Sequence, residues 1–383
     1  MEICKTEDCT GCFACVNVCP KNCISMVENE IGHIYPKIND EQCIECGICN
    51  RTCPNNNIVD FKTPKTVYAA WTLDNKDHES CTSGGIGTFL SRNIINENGV
   101  VYGCSSDITG EIQHIRVENI EDLENLKGSK YVQSYVNDTY AKAKNDLKCG
   151  KYVLFIGTPC QIAGLYCFLG KEKYDNLITV DLICHGVPPQ KLLFDHILGK
   201  AGRKEKLISF RQKEGFNLKV FDRNKVDYFA NEYDDLYFLG FSSGIFYRES
   251  CYNCKYAKAE RCSDITIGDF WGLGKEIPFK HKTENGVSVV LVNNNQGEQI
   301  IEKYKSGLFL EERTLSEAIN GNAQLQRPTI KNANADKFKK AYSDIGFDMA
   351  IKQCLKKEIK KYHLLKILKK SQFAMKIISK IRG

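Results

Sequence analysis

Hydrophobic spacing divides the chain into three stretches. Residues 1–60 are broken by cysteines and hold no long periodic run, and 61–66 reads as a linker because Pro64 has no N–H to give to a ladder or a helix interior. From 67 onward strand and helix patterns alternate. Apolar runs at 67–73, 100–104, 151–156 and 177–183 predict buried strands, and 265–267 and 287–292 add two more. Helical spacing predicts helices over 139–147, 161–169 and 190–198, and 207–211, 218–223 and 226–229 form a β-rich stretch. Ser83 ahead of Gly84-Gly85-Ile86-Gly87-Thr88 reads as an N-cap opening a helix. The end of the chain is mostly helical in pattern. The predicted divisions are 1–60, 67–330 and 331–383.

Composition narrows the class. Hydrophobic residues make up 42% and charged residues 26% of 383 positions, which is globular rather than disordered. No run of apolar residues is long enough for a membrane-spanning helix, and the first residues lack a signal-peptide pattern, so a cytoplasmic location is expected. Net charge is +6, but residues 352–382 hold 11 basic residues and one acid, leaving 42 basic against 46 acidic elsewhere. A nucleic-acid-binding domain carries its positive charge on the folded face. No nucleic-acid partner is therefore expected.

Cysteine is the outlier, with 20 residues, nine of them between Cys9 and Cys53. Cys9, Cys12, Cys15, Cys19-Pro20 is followed by Cys43, Cys46, Cys49, Cys53-Pro54, and each run is C-x2-C-x2-C-x3-C-P, the pattern of two-cluster ferredoxins. Three thiolates two residues apart can reach three corners of one cubane, and the fourth, held off by a proline, points to the other. Cys9, Cys12, Cys15 and Cys53 are thus expected to hold one 4Fe–4S cluster, and Cys43, Cys46, Cys49 and Cys19 the second. Gly11 and Gly47 suit turns whose N–H groups face sulfur. Zinc would ask for C-x2-C pairs rather than two runs of four. The fold class expected is α+β: a two-cluster ferredoxin-like module, a mixed α/β domain, and a helical C-terminal region.

A third group, Cys251-x2-Cys254 with Cys262, is one thiolate short of a closed site. Cys184, Cys160 or Cys81 could complete a third 4Fe–4S cluster, and Cys160 and Cys184 each end a predicted strand, where α/β proteins gather their chemistry. The competing reading of Cys160 and Cys184 is a small buried hydrophobe. Cys4, Cys23, Cys104, Cys149, Cys167 and Cys354 have no spacing partner. The Ser83–Thr88 turn opens a helix whose free N–H groups could receive a phosphate. It is not G-x-G-x-x-G, which disfavours a Rossmann-type dinucleotide site.

Five ordered motifs agree: Ser83-Gly84-Gly85 with Thr88, Gly157-Thr158-Pro159-Cys160-Gln161, Cys184-His185-Gly186-Val187-Pro188, Cys251-x2-Cys254…Cys262, and Asp264 to Gly272 with Gly268-Asp269 and Trp271. Together they resemble the coenzyme F(420) hydrogenase/dehydrogenase beta-subunit family, in the form with an N-terminal dicluster ferredoxin domain. The resemblance spans residue 1 to about residue 330. It implies a flavin, FAD, in the α/β domain beside a 4Fe–4S cluster, and hydride exchange with a deazaflavin or another two-electron partner. Carried onto this chain, Cys184, Cys251, Cys254 and Cys262 hold that cluster. Ser83, Gly84, Gly85, Thr88, Gly157, Thr158, Pro159, Cys160 and Gln161 line the flavin. Asp269 would hold a flavin hydroxyl, or stabilise its own turn; His185 would donate a proton or hydrogen bond, or be structural; Trp271 would pack.

The expected activity is an iron–sulfur flavoprotein oxidoreductase, since a flavin beside clusters joins two-electron to one-electron chemistry. Relatives in polysaccharide biosynthesis clusters suggest a reductase of that kind. The alternative is an electron-transfer subunit feeding a partner enzyme; a redox sensor is the third reading. Ile351, Leu355, Ile359, Tyr362, Leu365, Leu368, Met375 and Ile378 recur at helical spacing among lysines. Such a helix can lie on the inner face of an anionic membrane, or pack on its own domain.

Overall fold

The computed structural model describes residues 2–106, 111–202, 207–212, 215–222 and 225–367. Its N-terminal module is built of two like halves. A helix, Ala14–Val18, ends the first cysteine loop and another, Ile48–Thr52, ends the second; between them β1 (Ile24–Glu28) and β2 (Ile34–Ile38) pair antiparallel. Each cysteine loop turns through two left-handed residues at the same repeat positions. These are Gly11 and Phe13 in the first (φ 65° for both) and Glu45 and Gly47 in the second (51° and 69°). Each half places glycine at only one of the two. Phe13 and Glu45 accept a conformation that costs an L-residue about 1–2 kcal/mol, so the curl is imposed by what the loop must surround.

The main domain carries β3 (Thr66–Thr72), β4 (Val100–Ser106), β5 (Ile112–Val117), β6 (Val153–Gly157) and β7 (Leu177–Leu182). A separate antiparallel sheet follows, made of β8 (Leu207–Gln212), β9 (Gly215–Asp222) and β10 (Lys225–Asn231). Then come β11 (Ile265–Asp269), β12 (Ser288–Val292) and β13 (Leu308–Arg313). The large sheet has the order β13-β3-β12-β11-β7-β6-β4-β5. β4, β6, β7 and β11 are parallel neighbours, and β3 shares their direction across the antiparallel β12. The carboxyl ends of five strands therefore gather at one edge, where α/β sheets bind ligands. The predicted strands are present at nearly their expected limits; β5 and β13 are additions.

Helices cover both faces. Ile86–Asn96 and Asn295–Tyr304 bury Leu90, Ile94 and Ile300 against Leu154, Ile178 and Val180. On the other face Thr139–Lys148 and Pro159–Leu169 pack Tyr140, Ala143, Ile162 and Leu165 against Val153 and Phe155. The division expected at 331 is not a structural one. Ala335–Ile345 and Phe347–Cys354 bury Phe338, Phe347 and Ile351 among Gln190–Ala201, Leu236–Ser243 and β8–β10. The tail stripe begins in that core: Ile351 and Leu355 are fully buried, and Ile359 and Tyr362 pack against it. Leu364, Leu365 and Ile367 are exposed. Leu368, Met375 and Ile378 lie outside the described residues.

A buried charged trio locks this helical layer. His196 lies between Asp235 (3.0 Å) and Asp348 (2.6 Å), its side chain fully buried. Burial disfavours the imidazolium, but the two carboxylates outweigh it and raise the group to about 9. Its folded pKa thus lies above the ordinary 6.5, so its stabilisation is whole below pH 6.5 and is lost as pH rises through 9. A rise of that size corresponds to about 3 kcal/mol. Denaturant titrations should show stability falling by about that much from pH 6.5 to about pH 9.5. His196→Gln should be less stable at pH 6.5 and show a flatter pH profile.

Candidate metal centres

Two hollows open in the N-terminal module. One is lined by Cys9, Cys12, Cys15 and Cys53, with Cys4 beside them. The other is lined by Cys43, Cys46, Cys49 and Cys19, with Cys23 beside them. This is the crossed partition that the spacing predicts. The local cause is visible: Cys19 and Cys53 each cap a short helix in extended conformation, which sends the fourth thiol away from its own loop. The repeat gives no role to Cys4 or Cys23, which stand outside it, and only the fold brings them to the hollows. Cys23 Sγ lies 3.4 Å from Cys19 Sγ.

Among the described residues no three His, Cys, Asp or Glu side chains converge closely enough for a single metal ion. The thiols stand in two groups of four, as two four-iron cubanes would ask, whereas zinc draws every sulfur to about 2.3 Å from one point. The two hollows differ in depth. Cys9, Cys12, Cys15 and Cys53 are buried, whereas Cys43 and Cys46 are partly exposed and flank Ile44, 57% exposed. The second hollow faces outward and the first faces the main domain.

The first hollow touches the main domain at one helix. A Cβ added to Gly164, in Pro159–Leu169, would lie 3.0 Å from both Cβ and Sγ of Cys12 and 2.9 Å from the Tyr140 hydroxyl. The first turn of that helix carries Cys160. Cys184 follows β7, and Cys251 and Cys254 lie on and just after the short helix Glu249–Tyr252. Burial pushes Cys160 up to about 11, Cys251 to about 12 and Cys184 well above the ordinary thiol range. Repulsion between neighbours adds to this: Cys251, Cys160 and Cys254 act on Cys184, and Cys254 acts on Cys160. Cys262 is buried in one cluster against which Cys160 and Cys254 pack. Burial raises it first, Asp181 next, Cys160 is the one thiol among its main neighbours, and it donates a 3.6 Å hydrogen bond to the Pro159 carbonyl. Cys81 remains with its own loop, donating to Thr88 Oγ1 at 3.2 Å.

The two glycine-bearing loops sit at the same sheet edge. Gly84 is required by packing, since a Cβ there would lie 2.2 Å from the Ala70 carbonyl oxygen, and Gly85 caps Ile86–Asn96 in left-handed conformation. Ser83 is engaged by Ser288, whose hydroxyl lies 3.2 Å away. After Gly157, Thr158 and Gln161 form a capping box behind Pro159. Gln161 accepts from Thr158 N–H at 2.9 Å and donates to the Ser134 carbonyl at 3.1 Å. Its polar ends serve the helix start, leaving backbone as what this loop can offer a ligand.

Asp269 ends β11, and His185 lies three residues past its neighbour β7. Asp269 pairs with Arg211 of β8 at 2.6 Å, and its charge supports the His185 imidazolium against burial, which dominates and lowers that group. Arg211 lies 4.9 Å over the Phe216 ring, and Phe216 stacks on Trp271 at 6.1 Å. Burial pushes neighbouring Tyr131 up to about 12. Arg211 and Tyr131 carry no motif, so the sequence does not single them out. Trp271, expected to pack, is 45% exposed.

Residues 150–318 match the family described as the C terminus of the coenzyme F420 hydrogenase/dehydrogenase beta subunit, and residues 8–57 match the 4Fe-4S dicluster domain. No curated protein matches significantly. Among solved structures, the xenon-derivatised F420-reducing NiFe hydrogenase complex from Methanosarcina barkeri is similar over 73% of this chain and 100% of its own, at 16% identity and a TM-score of 0.47. No helix among the described residues is long and apolar enough to cross a membrane.

Gly164→Leu tests the contact at Cys12. Overpacking a tight interface costs about 1–3 kcal/mol. The variant should be destabilised by that order and cleaved faster by protease at 61–66, which limited proteolysis with mass spectrometry would read.

Proposed function

We propose that this chain, in which a domain of the coenzyme F420 hydrogenase/dehydrogenase beta-subunit family follows a 4Fe-4S dicluster domain, is an iron–sulfur flavoprotein oxidoreductase. The observation that carries this reading is the succession of thiol groups. It runs from the partly exposed Cys43 and Cys46, through the buried Cys9–Cys53 hollow and Gly164, to Cys160, Cys184, Cys251 and Cys254 at the ligand-binding edge of the sheet. When bound, 4Fe–4S clusters exchange single electrons and a flavin exchanges two, so the combination couples one-electron to two-electron chemistry.

The chain's own residues have distinct tasks. Cys9, Cys12, Cys15 and Cys53 hold one cluster and Cys19, Cys43, Cys46 and Cys49 the next. Cys160, Cys184, Cys251 and Cys254 hold the third, with Cys262 beside it. The Ser83–Thr88 turn offers N–H groups to FAD, and the Gly157–Gln161 loop lines it. His185 is neutral near pH 7, because burial lowers its pKa, and so can donate one hydrogen bond. Asp269 fixes Arg211, which directs its remaining donors along the edge. The two-electron partner is a deazaflavin or another hydride donor or acceptor, and the one-electron partner is a redox protein meeting the Ile44 face. Membrane contact by the basic tail would fall to residues beyond 362, since the stripe before them is spent on the core.

A second reading, an electron-transfer subunit with no substrate of its own, is favoured by the name of the matched family, a beta subunit, and by the exposed Ile44 face. Anaerobic purification separates the two. About 12 irons and one FAD per chain are expected of the oxidoreductase, the iron following from three four-iron clusters. About eight irons would remove the third cluster, and absence of flavin would leave the subunit reading. Cys160→Ser should lower iron by about four per chain, whereas Cys262→Ser should keep it. The reverse result would return the third site to Cys184, Cys251, Cys254 and Cys262.

A further inference from the structure

Arg248 is a fully buried cation with no carboxylate beside it. Its relative exposure is 0%, and among the described residues it forms no ion pair. Its guanidinium is held by neutral groups alone. One terminal nitrogen donates to the Cys9 carbonyl at 3.0 Å; the other donates to the Ile34 carbonyl and to Gln133 Oε1 at 3.3 Å. The Tyr35 ring lies 4.6 Å away, and Nε has no hydrogen-bond partner. Gly11 makes room for this seat: a Cβ there would come 2.8 Å from the guanidinium.

An unpaired charge in a protein interior is costly, and chains normally supply a counter-ion. The side chain reaches the first ligand loop at Cys9. Its own backbone N–H donates to Val187 at 3.3 Å, three residues after Cys184, and Cys251 follows three residues later. The Arg248 carbonyl accepts from the Cys251 N–H at 2.9 Å, and the Ser250 hydroxyl between them donates to the Cys9 carbonyl at 3.0 Å. Arg248 therefore stands between the inner hollow and the third cysteine group, while Cys43 and Cys46 lie on the outward side.

We propose that Arg248 is a shared electrostatic positioning residue that raises the reduction potentials of both the Cys9–Cys53 cluster and the third cluster, so that electrons arriving from outside come to rest beside the sheet edge. The inference rests on the cluster reading above. Each one-electron reduction adds one negative charge to a thiolate-bound cluster, and a nearby buried cation favours the more negative form. Arg248 takes no proton and no electron itself. The outer cluster, away from it, keeps the lower potential and passes electrons inward.

The test is an anaerobic potentiometric titration of the full-length holoprotein with dithionite, followed by electron paramagnetic resonance, with iron determined on each sample. Arg248→Met should lower both inner potentials by at least tenfold in the reduction equilibrium, 59 mV for a one-electron couple, and leave the outer cluster unmoved. Arg248→Lys, which keeps the charge, should restore most of the difference. Gln133→Glu gives the guanidinium a carboxylate in place and should shift both inner potentials the same way, which keeps the test available if Arg248→Met does not hold its iron. Equal shifts in the Met and Lys variants, or unchanged inner potentials in Gln133→Glu, would overturn the proposal. Wild-type protein with no iron in the inner hollow would instead overturn the cluster reading itself.

Discussion

Cys12 meets the helix Pro159–Leu169 at Gly164, across a gap so narrow that a methyl group would enter only if its neighbours gave way. That close approach fixes where the cysteine-rich module stands relative to the sheet, and other contacts are consistent with it. Asn17 Nδ2 donates to the Asn137 carbonyl, and the Ser250 hydroxyl donates to the Cys9 carbonyl. The linker is pinned as well: Lys62 and Arg261 exchange backbone hydrogen bonds, and Arg261 is buried against Asp181 at the end of β7. A module so fastened holds its inner hollow at one distance from the Cys160 turn, which electron transfer between fixed sites requires.

Burial sets the chemical terms. Burial pushes Cys15 to about 12, with Cys9 and Cys53 adding to it, and Cys251 likewise to about 12, whereas hydrogen bonding to Cys4 lowers Cys9 and Cys53. Metal binding to such a site must expel protons, so iron loading is favoured by higher pH. Once loaded, the same low-dielectric surroundings magnify every nearby charge. In that setting a lone Arg248, held by carbonyls and an amide, acts on the inner groups while the outward hollow remains under the influence of solvent.

Much of this was legible in the sequence. The repeated C-x2-C-x2-C-x3-C-P run fixed both the number of inner and outer thiols and their crossing, because spacing along a short loop leaves few geometries. Strands β3, β4, β6, β7, β11 and β12 were legible as apolar runs, since strands buried on both faces need no alternation. What escaped depended on long-range packing. Cys160 was legible both as a flavin-loop residue and as a candidate ligand, and spacing alone could not choose between the two. Arg248, Arg211 and Tyr131 belong to no motif; Arg211 finds Asp269 58 residues away and Arg248 finds Cys9 239 residues away. The tail's helical stripe was correctly periodic, but periodicity does not say which surface receives it; for Ile351 to Tyr362 that surface is the chain's own core.

The proposed series of three iron centres, the last of them beside the Cys160 turn, is a spatial arrangement that can be located directly. Diffraction data from anaerobically grown crystals, collected on either side of the iron absorption edge, would place iron without reference to any assigned chemistry. Three compact anomalous peaks are expected, two among the crossed N-terminal cysteines and one enclosed by Cys160, Cys184, Cys251 and Cys254. Peaks confined to the N-terminal module, or a signal at the zinc edge in their place, would contradict that arrangement.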